Sequence, residues 1–214
     1  NKMSEDDFVS LEVSSFQLEK IQAFKPKIAV MLNFSRNHLD RYTGLKDYLE
    51  AKKRIFINQD ESDYLVLNYA DPTIRELGKE AKSRVVYFSD KEDMNPNQAA
   101  SLAVASILGI DKEIALNVFK EFKGIEHRLE YVAEINKVKF INDSKATTVD
   151  ATVWALENVA GPIVLIAGGR EKGNDYGLIL ESLRKKVKEV ILIGEAAGRI
   201  KDAFSPIAPV SRAG

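Results

Sequence analysis

The sequence has no cysteine. That removes disulfides and thiolate metal sites, and makes a reducing compartment, the cytoplasm, the simpler setting. Histidine is nearly absent too: His38 and His127 are the only two. No apolar run approaches the roughly 20 residues that a membrane span needs. The opening residues 1–8 are polar and acidic, unlike a secretory signal. There is no surplus of either charge, with 31 Lys and Arg against 32 Asp and Glu. This balance argues against a general nucleic-acid binder, but leaves room for a local basic pocket. No internal repeat or low-complexity segment stands out. Oligomeric state has no signature in the sequence, and a monomer is the expectation. A chain of 214 residues suffices for one or two domains with a sizeable core.

The most informative stretch present is Phe140-Ile141-Asn142-Asp143-Ser144-Lys145-Ala146-Thr147-Thr148. An apolar β-branched run leads into polar residues, and a helical pattern follows. In α/β proteins, ligands bind where a strand ends and a helix opens. Helix-start amides attract anions, and Lys145 adds full positive charge beside them. Asp143 can accept hydrogen bonds from sugar hydroxyls. Thr147 and Thr148 can cap the helix or hold a carboxylate.

Upstream, residues 8–13, 27–32, 64–68 and 84–88 read as strands, with helices over 44–57, from Asp71-Pro72, over 99–108 and over 114–122. From about residue 125 the rhythm alternates: strands at 138–141, 163–167 and 190–193, and helices at 149–158, 178–187 and 196–204. Alternating β and α elements imply a parallel sheet with right-handed crossovers. We place a domain boundary between residues 1–124 and 125–214, and expect a loose tail over 206–214.

Four further segments carry chemistry. Glu12 lies in the first strand pattern, where a buried carboxylate costs several kcal/mol unless paired or metal-bound. His38 sits in the polar loop Asn33 to Tyr42, a setting where a lone histidine is more often structural. Lys52, on an apolar-flanked helix, reads by position alone as a snorkelling surface lysine. Arg128, in Glu126-His127-Arg128-Leu129-Glu130, offers a planar fork suited to phosphate; a surface salt bridge is the plainer alternative.

Taken in order, the strings LEVSSFQLE, NFSRNHLDRY, YLEAKKRIF, GIEHRLEYV, FINDSKATT and AGGREKGND resemble the Mur ligases, from about residue 8 to 204. NDSKAT points within that family to the members that add D-glutamate. The resemblance implies part of a P-loop-type central domain followed by a Rossmann-like parallel βαβ domain. It also implies an ATP-dependent amide ligase (EC 6.3.2 class) of peptidoglycan synthesis. ATP would phosphorylate the carboxylate of UDP-N-acetylmuramoyl-L-alanine, and the amine of D-glutamate would attack the acyl phosphate. Two magnesium ions would neutralise the crowded oxygens. By resemblance Glu12 and His38 fall at metal positions, and Lys52 falls where the family carries a carbamylated lysine. Ser14 and Gln17 fall near the UDP-sugar substrate. Arg128, Asp143, Lys145 and Asn95 fall at nucleotide or phosphate positions, and Thr147 and Lys172 at the D-glutamate carboxylates.

The chain departs from that pattern in places. Asn37 precedes the histidine where the family often has an acid, Thr148 stands where it has asparagine, and the connection over 89–97 is short. These residues contain no Gly-x-x-Gly-Lys-Thr/Ser phosphate loop and no C-terminal Ser-Pro-Ala-type segment. The chain therefore reads as roughly the middle half of such an enzyme, and the 214 residues alone are expected not to turn over ATP. Two alternatives stay open: a related ligase with different or broader amino-acid choice, and a non-catalytic nucleotide-binding remnant.

Overall fold

The computed structural model describes residues 4, 7–35, 41–89, 94–171 and 173–213. They form two compact units, one ending at Glu121 and the other running from Phe122.

The first unit opens with a short helix α1 (Ser15–Leu18) and is built on strands β1 (Ile28–Met31), β2 (Tyr64–Asn68) and β3 (Arg84–Phe88). All pair in parallel, in the order β1-β2-β3. β2 reads as a continuous apolar run because both of its faces are covered. Leu65, Val66 and Leu67 are each 0% exposed, and burial of such side chains stabilises by about 1.5–3 kcal/mol apiece. Leu65 and Leu67 pack with Ala29, Met31, Phe56, Ile74 and Leu77, while Val66 packs with Phe88, Ala99 and Ala100. The covering elements are α2 (Leu45–Lys53) with its 3₁₀ extension Arg54–Phe56, α3 (Pro72–Glu76) and α4 (Pro96–Ile107), and α5 (Lys112–Glu121) packs against α4.

Caps set where these helices start. Asp71 Oδ1 accepts from the amides of Thr73 and Ile74, with Pro72 in the first turn. Its other oxygen accepts from Phe34 N–H at 2.7 Å, and Asn68 Nδ2 donates to Leu32 O at 2.9 Å. The loop after β1 is thereby tied to the ends of its neighbours. α4 begins at Pro96 rather than Ala99, because Asn95 and Gln98 form a reciprocal capping box. It ends at Gly109 (φ 71°), whose amide donates to Ser106 O while that of Ile110 donates to Ala105 O, a Schellman closure.

In the second unit β4 (Glu130–Ile135) and β5 (Val138–Asn142) form an antiparallel hairpin. α6 (Val149–Asn158) follows, then β6 (Ile163–Gly168), a 3₁₀ turn Tyr176–Ile179, α7 (Leu180–Lys186), β7 (Val187–Ile193), α8 (Ala197–Phe204) and β8 (Val210–Arg212). β6-β7-β8 is a parallel sheet. Leu156, Leu183, Val190, Leu192, Ile200 and Phe204 form its core against the helices.

Three expectations are corrected. Residues 8–13 form no strand, and Glu12 is exposed rather than buried in one; a strand needs a partner ladder, and no described strand pairs with this segment. The strand at 138–141 does not join a parallel array. Asn136 and Lys137, with φ of 51° and 65°, turn the chain straight back into a hairpin. The tail is not loose: Ala208 enters the core, Val190 N–H donates to Pro209 O at 2.9 Å, and residues 210–212 pair with β7.

Candidate nucleotide and amino-acid site

Two turns distant in sequence meet at the end of the hairpin. The first spans residues 125–130 and carries Arg128. The second spans 142–148, from the end of β5 to the start of α6, and carries Asp143, Lys145 and Thr147. Lys145 N–H donates to His127 O at 3.0 Å, and Leu129 N–H donates to Asp143 Oδ1 at 3.1 Å. Ala146 N–H closes the second turn on Asp143 O at 2.8 Å. Arg128 and Lys145 are exposed, and neither has an ion-pair partner among the described residues. Asp143 keeps one carboxylate oxygen clear of the Leu129 amide. This gives two unpaired cations and one half-engaged carboxylate on a single edge. The set suits an anion such as a phosphate chain, carried by a group with hydroxyls.

The two threonines divide the available roles. Thr148 is the N-cap of α6, its hydroxyl accepting from Ala151 N–H at 3.2 Å. Thr147 is exposed and its hydroxyl has no protein partner among the described residues, so it is free for a ligand.

A second edge lies where β6 and β7 end. Gly168 and Gly169 take φ of 154° and 110°. A Cβ on Gly168 would fall 1.8 Å from Ile193 O, so only glycine permits this approach of the two loops. Glu171 holds the following loop, accepting from Gly173 N–H at 2.6 Å and from Arg199 at 2.7 Å. Lys172 lies outside the described residues.

In the first unit, Lys52 is half-buried on α2 with its ammonium 5.3 Å from the Tyr48 ring centroid. It has no carboxylate partner among the described residues, and burial holds its pKa below the ordinary lysine range. Desolvation thus favours the neutral amine. Lys53 beside it bonds Glu80 at 2.5 Å and Glu50 at 3.0 Å. Those residues line a cleft of about 590 Å³ with Glu19, Tyr42 and Arg54. Lys52 is not on its wall. Among the described residues, no three His, Asp or Glu side chains come together as a metal cluster. His38 lies outside them, so the trio Glu12, His38 and Lys52 is not brought together by the described residues.

Ser14 and Gln17 have a local structural task. Ser14 Oγ accepts from Gln17 N–H and Gln17 Oε1 accepts from Ser14 N–H at 2.9 Å, capping α1. Asn95 Oδ1 likewise accepts from Gln98 N–H at 3.0 Å. The patterns Ser-x-x-Gln and Asn-x-x-Gln are sequence signals for such boxes. Glu130, which ties the two turns together, carried no assigned role in the sequence, although it closes the EHRLE string.

The Mur ligase middle domain matches residues 1–137, and the glutamate ligase domain of Mur ligases matches residues 127–212. The chain belongs to the Mur ligase family. Among its relatives, the UDP-N-acetylmuramoylalanine–D-glutamate ligase of Thermoanaerobacter sp. (strain X514) is 41% identical over 93% of this chain and 52% of its own length. The enzyme of that name from Clostridioides difficile (strain 630) is 35% identical over the same shares. The chain thus spans about half the length of the curated relatives it matches. In fold it is similar to MurF from Acinetobacter baumannii, with a TM-score of 0.72, 16% identity, and 88% of this chain matched to 51% of that one. MurC from Thermotoga maritima gives a TM-score of 0.66 and 19% identity, over 94% and 53%. No helix among the described residues is long and apolar enough to cross a membrane.

Proposed function

We propose that this chain is part of an ATP-dependent amide ligase that adds D-glutamate to UDP-N-acetylmuramoyl-L-alanine. Residues 1–124 would belong to its central ATP-binding domain and 125–214 to its amino-acid-binding domain. The observation that carries this reading is the clasp between the two turns, which leaves Arg128 and Lys145 unpaired on one edge. The 35–41% identity to D-glutamate ligases supports the choice of amino acid.

In this reading the substrate carboxylate attacks the γ-phosphorus of ATP and ADP leaves. The amine of D-glutamate then attacks the acyl carbon, and phosphate departs as the amide forms and the amine sheds its proton. Arg128 and Lys145 offset charge on the phosphates, the task that dominates phosphoryl transfer. The free oxygen of Asp143 accepts from nucleotide hydroxyls. Asn95 lies at the nucleotide end. Thr147 and Lys172 hold the carboxylates of D-glutamate, and Ser14 and Gln17 face the UDP-sugar substrate while capping α1.

Magnesium, when bound, supplies further positive charge at the transferring phosphoryl group, and Glu12, His38 and Lys52 are the residues that would hold it. Lys52 fits this role only as a carbamate, because an ammonium would repel the ion. Its half-buried, unpaired amine with a lowered pKa suits capture of carbon dioxide, which needs the neutral form.

The test is phosphate release by the full-length protein. Release should require ATP, UDP-N-acetylmuramoyl-L-alanine and D-glutamate together. Equal release with another amino acid, or release without any, would overturn the assignment.

A further inference from the structure

We propose that Glu130 is a positioning residue for nucleotide binding, holding Arg128 in a strained backbone turn. This rests on the reading above, in which Arg128, Asp143 and Lys145 face the nucleotide. Arg128 is flanked on both sides by non-glycine residues in the left-handed region, His127 at φ 65° and Leu129 at φ 44°. The left-handed region is sterically unfavourable for such residues, so the turn persists only where its surroundings hold it.

Its ties are few. His127 O accepts from Lys145 N–H, and Leu129 N–H reaches Asp143. Arg128 N–H donates to Ile125 O at 3.1 Å within the first turn, and the further tie is Glu130. Its Oε2 accepts from His127 N–H at 2.8 Å and from Asn142 Nδ2 at 3.3 Å. Asn142 Nδ2 also lies 2.8 Å from His127 Nδ1, and Asn142 Oδ1 accepts from Ser144 N–H at 3.1 Å. Among the described residues, Glu130 is therefore the one side chain outside the proposed ligand set that accepts from both turns. Its own backbone is fixed because it pairs with Asn142 in the hairpin register.

Removing the carboxylate frees the His127 amide and lets φ relax out of the left-handed region. Arg128, the next residue, then loses its fixed direction. Thr147, assigned with Lys172 to D-glutamate, keeps second-turn ties that do not involve Glu130: Ala146 N–H to Asp143 O and Thr147 N–H to Lys145 O. The defect must therefore be selective for the nucleotide.

The experiment uses the full-length protein. ADP affinity is measured by calorimetry with magnesium present, together with KM for ATP, KM for D-glutamate and kcat. Glu130→Ala should weaken ADP binding and raise KM for ATP by roughly tenfold, as expected for loss of a charged hydrogen bond. KM for D-glutamate should stay within about twofold. Glu130→Gln keeps an oxygen for the His127 amide and should restore ADP binding to within roughly threefold of wild type. If the alanine variant does not fold, Glu130→Asp decides: one methylene shorter, it should weaken ADP binding by at least roughly threefold. Wild-type ADP affinity in Glu130→Ala, or in Glu130→Asp, would overturn this inference alone. A parallel rise of both KM values without rescue by glutamine would reduce Glu130 to a fold-stabilising residue. Failure of the wild-type protein to bind ADP would overturn the nucleotide reading itself and this inference with it.

Discussion

Thr147 and Thr148 are adjacent, chemically identical and placed in opposite roles, so their alanine variants should differ in kind. Thr148 caps α6 through Ala151 N–H, and among the described residues α6 has no second side-chain cap at that end. Its loss leaves a helix-start amide without its acceptor, which costs about 1 kcal/mol. In a chain of this size that corresponds to a drop in Tm of roughly 2–4 °C. Thr148→Asn keeps an equivalent cap and should leave Tm within about 1 °C of wild type. The Thr147 hydroxyl makes no protein hydrogen bond among the described residues, and its amide bond to Lys145 O survives the substitution, so Thr147→Ala should leave Tm unchanged. In the full-length protein it should raise KM for D-glutamate by roughly tenfold or more, the effect of losing one hydrogen bond to a carboxylate. The assays are thermal melting followed by circular dichroism, and phosphate release at varied D-glutamate. If Thr148→Ala melts with wild type, or if Thr147→Ala lowers Tm without changing KM, the division of roles is refuted.

Lys52→Met should make the protein more stable at neutral pH, because burial disfavours the ammonium it removes. The folded pKa lies below the unfolded value of 10.5, so wild-type stability should rise with pH between the two, where the unfolded chain binds more protons. Urea melts of Lys52→Met should lack that slope, and an identical slope in both proteins would remove the buried-amine argument. In the full-length enzyme Lys52→Ala should lose most activity and regain part of it with added short carboxylic acids; normal activity would refute the carbamate. Lys172→Ala should raise KM for D-glutamate by roughly tenfold while leaving that for ATP unchanged, and unaltered D-glutamate dependence would move specificity elsewhere.

Much of the fold was legible where burial is two-sided or caps are strong. β2 and β3 lie as expected, as does α6, because apolar β-branched runs and Thr148 leave little choice. The hairpin was missed because its turn, Asn136-Lys137, lacks the glycine that usually marks a two-residue reversal. The strand pairing of residues 210–212 depends on Ala208 entering a core that runs from Leu156 to Phe204, which no local pattern reveals. The site was legible as separate strings but not as a constellation. That Arg128 and Asp143 share an edge follows only from the Leu129–Asp143 and Lys145–His127 hydrogen bonds. Glu130 escaped notice because its importance lies in what it accepts from the backbone, not in its residue type.

Asn95 shows how a structural duty constrains a functional one. Its side-chain oxygen accepts from Gln98 N–H in the α4 cap, and it is exposed. One lone pair of that oxygen is engaged while the Nδ2 group has no partner among the described residues, so Nδ2 is what Asn95 offers a nucleobase most freely. Asn95→Asp separates the two duties. Aspartate caps as well as asparagine does, and its charge suits a helix N-terminus, so Tm should hold or rise slightly. The donor, however, becomes an acceptor facing the ring nitrogens of adenine. KM for ATP should therefore rise roughly tenfold, with that for D-glutamate unchanged. Asn95→Ala would lose both duties and shift Tm and KM together. If Asn95→Asp leaves KM for ATP at the wild-type value, Asn95 is a cap and nothing more, and adenine must be read by other residues.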